Sequence, residues 1–123
     1  MKNILEEELK TIVNKKLGYA RSIARTLKEL TALAEKYGIT KGSITEADID
    51  SFYNELEKVY GIGKKLKNLI MYDLIRIYYF PVPSNLELLD EIQDKLKKLG
   101  ISTSHIDRKD YPYIDAALYD LSI

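Results

Sequence analysis

Three lysines, Lys64, Lys65 and Lys67, follow directly on the turn Gly61-Ile62-Gly63. Glycine admits positive φ and lets the backbone approach another group closely. A helix that begins at Lys64 leaves its first N–H groups without intrahelical partners, with the positive end of the helix dipole behind them. Such a start, carrying three ammonium groups within four residues, suits about one or two phosphates. The same residues also make an ordinary short turn between two helices with a solvated lysine face. Taken alone, a Gly-x-Gly turn leaves both readings open.

Other residues with chemical potential are sparse. His105 is the single histidine, in a polar stretch, and the chain has no cysteine, so no zinc site is expected. No cofactor is expected either. Ten tyrosines accompany two phenylalanines and no tryptophan. Of these, Tyr72, Tyr78 and Tyr79 are candidates for stacking on exposed bases. Tyrosines at helix seams, with the hydroxyl reaching water, are the commoner arrangement. Arg21 and Arg25 stand one turn apart, either extending a basic face or pairing with Glu29 as surface charges.

The elements that must position these groups read as helices almost throughout. Ile4, Leu5, Leu9, Ile12 and Val13 form the stripe of a first helix ending near Gly18. A second runs through Ile23, Leu27, Leu30 and Ala34 to a stop at Gly38. Thr45 and Asp48 mark the start of a third, lined by Phe52, Leu56 and Val59. After the glycine turn a fourth carries Leu66, Leu69, Ile70, Leu74 and Ile77, and it must end before Pro81. Ser84 to Glu87, "SNLE", is a full capping box that predicts a fifth helix through Leu88, Leu89, Ile92 and Leu96 to Gly100. A short last helix is predicted from Tyr111-Pro112 to Leu121. No stretch alternates in the manner of a strand. The expectation is an all-α single domain over residues 1–123, of about six helices, with a helix-hairpin-helix core over about 46–80.

Composition narrows the function classes. A hydrophobic content of 46% with 31% charged residues fits one soluble globular domain of 123 residues. No apolar run approaches the roughly 18 residues of a membrane span, and "MKNILEEELK" lacks the apolar stretch of a signal peptide. A cytoplasmic location is the default expectation. Lysine plus arginine and aspartate plus glutamate balance at 19 each, so any phosphate binding must come from a local cluster. Abundant Lys, Glu, Ile and Tyr hint at a thermophile source.

The stretch "LEKVYGIGKKLKNLI" resembles the helix-hairpin-helix of the endonuclease III-type base-excision DNA glycosylases. In that family a GxGxKxA hairpin carries the catalytic lysine two residues after the second glycine, a position matched here by Lys65. A proline-valine element follows the second helix of the family, and Pro81-Val82-Pro83-Ser84-Asn85-Leu86 falls at that distance. Upstream "NKKLGYARSIARTLKELTALAEKYG" and downstream "DYPYIDAALYDL" are loosely similar to flanking helices of the family. The resemblance spans roughly residues 14–121, with specificity in the hairpin only. It implies DNA repair, a hairpin that grips phosphates through Gly61, Ile62, Gly63, Lys64, Lys65 and Lys67, and a lysine able to form a Schiff base at an abasic sugar.

The departures change what the resemblance implies. The family aspartate that assists base departure falls at Pro83, which has no ionisable group. The histidine of the family falls at Asn85, and the small alanine that lets the two hairpin helices approach falls at Lys67. Much of the helical region forming the opposite wall of the family's cleft has no counterpart. Asp73 and Asp90 are the candidates to replace the missing carboxylate, and a Schiff base at Lys65 requires its pKa to be lowered by Lys64 and Lys67. The expected function is non-sequence-specific DNA binding, with base excision disfavoured and slow abasic-site opening by Lys65 the residual activity. The alternative is a helical protein–protein module, a homodimer or the subunit of another chain, whose hairpin is structural.

Overall fold

The structure, a computed structural model, describes residues 20–42 and 44–123. The predicted helix over Ile4–Val13, and the side chain of Arg21, lie outside the described residues. Five α-helices make up the remainder: α1 (Ala20–Lys36), α2 (Ile49–Leu56), α3 (Lys64–Tyr78), α4 (Asp90–Lys98) and α5 (Tyr111–Leu118). Short 3-10 turns occupy Ile39–Lys41, Thr103–His105 and Arg108–Asp110, and no strand occurs among the described residues. The chain is all-α, as its periodicity predicts.

α3 is the centre of the packing. α2 packs against α1 and α3, while α5 packs against α3 and α4. A helix covered on several sides buries residues around most of its circumference. Ile70, Met71, Tyr72, Leu74 and Ile75 are all buried, and so are Lys67 and Asn68. This corrects the expected stripe. Leu66 and Leu69 are only partly buried, and Ile77 is exposed. On α2 the spacing holds, with Ile49, Phe52, Tyr53 and Leu56 buried on one face. Tyr37 meets Phe52 edge-to-face, the ring centroids 5.8 Å apart, which fixes the end of α1 over α2.

Two helix starts differ from expectation. Thr45 opens a turn, its carbonyl accepting from the N–H groups of Asp48 and Ile49, and regular helix begins only at Ile49. The larger difference is at Ser84. Its N–H and hydroxyl both donate to the Asp50 carboxylate, at 2.7 and 2.8 Å, so the N–H that Glu87 would accept in a capping box is already taken. Leu86, Leu88 and Leu89 are all buried. Residues two apart lie on nearly opposite faces of a helix but on one side of an extended chain. The segment therefore stays non-helical until Asp90. Asp90 and Glu91 then occupy the first turn of α4, with Lys95, Lys97 and Lys98 in its last turn, each complementing the helix dipole.

Candidate nucleic-acid interface

The hairpin runs from the end of α2 through residues 57–63 into α3. Val59 and Ile62 are buried and anchor the turn, and the N–H of Ile62 donates to the Val59 carbonyl at 3.0 Å. Gly61 has φ of +79°, the left-handed region that glycine adopts without strain. A Cβ there would stand 2.8 Å from the Thr26 hydroxyl oxygen. Gly63 is different. Its φ of −90° and ψ of −173° are extended, and a Cβ on it meets nothing within 4 Å. Only the first glycine of the pair is required by the backbone.

The tip of the turn is fastened to α1. The Thr26 hydroxyl donates to the Tyr60 carbonyl at 2.6 Å, and the Tyr60 N–H donates to Glu29 at 3.0 Å. Arg25 lies 4.0 Å above the Tyr60 ring and pairs with Glu29 at 3.0 Å. The Tyr60 N–H, and then Arg25, hold the Glu29 carboxyl below its ordinary pKa. Arg25 is thus a surface charge paired within its own helix. The pairing of Arg25 with Glu29 follows from their spacing in the sequence, whereas the part played by Thr26 does not. Thr26 stands four residues before Leu30, a hydroxyl on the buried stripe, and that is the signal for it.

Behind the turn lies a buried polar network. The Tyr53 hydroxyl donates to Asn68 Oδ1 at 2.6 Å, and the Asn68 amide donates to the Lys64 carbonyl at 2.9 Å. The Glu87 N–H donates to the Tyr53 hydroxyl at 3.0 Å, and the Glu87 carbonyl accepts from the Tyr72 hydroxyl. Two tyrosines thereby clamp the backbone of Glu87. Burial pushes the Tyr53 hydroxyl up to about 12 and that of Tyr72 higher still. Tyr72 is therefore a core residue, Tyr78 is half-buried and Tyr79 stands exposed.

The three lysines have three carboxylate partners. Lys64 Nζ lies 2.9 Å from Glu87, and Lys65 Nζ lies 3.0 Å from Glu91. Each pair raises its lysine's pKa, chiefly through the hydrogen bond to the glutamate. The lowered pKa that a Schiff base at Lys65 requires is thus absent, because the hydrogen bond to Glu91 outweighs the effect of burial. Lys67 turns inward. It is 3% exposed, its Nζ rests 4.0 Å over the Tyr53 ring, and it reaches Glu57 at 3.6 Å. Its stem fills the seam between α2 and α3 where a small residue was expected from the resemblance.

No side chain caps the first turn of α3. A groove lies between that start and the start of α4, lined by Lys64, Lys65, Leu89, Asp90 and Glu91. Asp90 is exposed there, whereas Asp73 pairs with Arg76 at 3.0 Å. Pro83 is buried, and Asn85 contacts Asn54 at 3.4 Å. His105 is exposed, and no group of metal-ligating side chains occurs among the described residues. No helix among them is long and apolar enough to cross a membrane. Comparison with protein-family models, with curated proteins and with solved structures returns no match.

Proposed function

We propose that the chain is a small DNA-binding protein of the helix-hairpin-helix type, holding the phosphate backbone at the start of α3 without reading sequence. The observation that carries this reading is the uncapped first turn of α3, flanked by Lys64 and Lys65 with side chains 51% and 59% exposed. Unpaired N–H groups and the helix dipole favour an anion there. Glu87 and Glu91 hold the two lysines in the absence of DNA. Exposed ion pairs of this kind are weak, so a phosphate displaces the carboxylates at small cost. Backbone contacts of this sort carry no base information. Lys67 drops out of the contact set because it is buried. Lys65 serves as a phosphate contact, since a Schiff base needs a neutral amine and Glu91 stabilises the charged one.

The second reading, a helical interaction module or subunit, is favoured by the carboxylate partner that each hairpin lysine already has. Titration of a short duplex at several salt concentrations separates the two. With two lysines engaged, log affinity falls against log salt with a slope of about −2. The double variant Lys64→Ala/Lys65→Ala flattens that slope and weakens binding. Equal binding by variant and parent would overturn the DNA-binding reading in favour of the module.

A further inference from the structure

α5 presses a carboxylate into the seam it shares with α3 and α4. Asp115 is 7% exposed, and its Oδ1 is the one buried side-chain atom among the described residues with no hydrogen-bond partner. The charged groups around it come from three elements. α3 presents Lys65, already on Glu91, together with Asp73 and Arg76, which pair with each other. α4 presents Glu91 itself and Lys95, whose ammonium donates to the carbonyls of Leu118 and Tyr119 at 2.7 and 3.0 Å. The turn Arg108–Asp110 leading into α5 keeps all three side chains exposed. α5 itself offers only the phenols of Tyr111 and Tyr113, and α3 adds the buried phenol of Tyr72. Every cation of α3 and α4 named here therefore has another partner.

An ionised carboxylate in such a place loses hydration at Oδ1 that no hydrogen bond replaces, whereas a neutral carboxyl loses far less. We infer that α5 is a proton-dependent latch, seated on α3 and α4 while Asp115 is protonated and loosened when it ionises. Burial pushes the Asp115 carboxyl up to about 6, with Glu91 adding to the rise and Arg76 opposing it. The seated form thus binds a proton more tightly than the released one. Its extra stability is fully present below the ordinary value of 3.8 and is lost as pH rises through about 6. Over that interval the ratio of seated to released helix falls about tenfold per pH unit, about a hundredfold in all. Release frees Lys95 and uncovers the Tyr72 side of α3. Acidification thus tightens the seam of α5 with α3 and α4.

Hydrogen exchange of the α5 amides in the full chain, corrected for the intrinsic pH dependence of exchange, reads this equilibrium. Protection should fall about tenfold per unit across the window and level off above it. Asp115→Asn, which keeps the shape and removes the charge, should hold low-pH protection at pH values where the parent has lost it. Glu91→Gln should move the midpoint downward. A second measurement is independent of whether the variants fold: the carboxyl resonance of Asp115 in the parent, followed by NMR through the same titration. Flat protection in the parent, or a carboxyl titrating near its ordinary value, would overturn the latch.

Discussion

Two charged side chains are buried in contact with the central helix, and the molecule treats them differently. Lys67 is covered by the Tyr53 ring, has Glu57 in reach, and sits beside a network in which Tyr53, Asn68 and the backbone of Lys64 and Glu87 bond one another. Asp115 has a carboxylate oxygen with no partner and a glutamate for a neighbour. A buried charge with an aromatic face and a counter-ion is compatible with a fixed structure. A buried carboxylate without them makes its seat depend on the proton. The hairpin half of the molecule is therefore built for rigidity, and the α5 half for a conditional fit.

The largest expected effect tests the rigid half. Asn68→Ala leaves the Tyr53 hydroxyl and the Lys64 carbonyl without their shared partner and should cost about 2 to 3 kcal/mol in urea unfolding. A loss under about 0.5 kcal/mol would mean that the network does not hold the hairpin. Next in size is the contrast between the two glycines. Gly61→Ala combines a positive φ with a close approach to Thr26 and should cost about 1 to 2 kcal/mol. Gly63→Ala should stay within about 0.5 kcal/mol of the parent. Similar costs at both positions would show that the turn, and not Gly61 alone, sets its shape. The smallest effect is at the boundary between the halves. Glu91→Gln should shift the urea midpoint only slightly at neutral pH, because its exposed pair with Lys65 contributes little.

Much of the fold was legible because helical periodicity is a local signal. The end of α3 before Pro81, the stop of α1 near Gly38 and the start of α5 at Tyr111-Pro112 all follow from residues within one turn of the boundary. The failures are non-local. The capping box at Ser84 reads correctly on its own terms, yet Asp50 takes the backbone N–H that Glu87 would accept in it. The apolar spacing of α3 points through Leu66, Leu69, Ile70, Leu74 and Ile77 and passes over Lys67 and Asn68 because they are polar. Their burial depends on Tyr53, a residue on another helix, and no spacing within α3 announces it. The candidate site divides in the same way. Gly61, Lys64 and Lys65 were visible in the hairpin motif, whereas their carboxylate partners belong to a segment beyond two prolines. Asp115 left a fainter mark, a charge three residues from the buried Pro112 on a short apolar helix.

Three of the polar staples share one arithmetic property. Thr26 and Tyr60, Asp50 and Ser84, and Tyr53 and Glu87 are each separated by 34 residues along the chain. The first pair draws α1 onto the tip of the hairpin; the other two draw the segment after the prolines onto α2. Closing a loop costs entropy that grows only with the logarithm of its length. Loops of equal length then carry equal cost in a flexible chain. At these three contacts neither flank of the hairpin has a head start from connectivity, so their order of closure is left to the strength of the contacts each one makes.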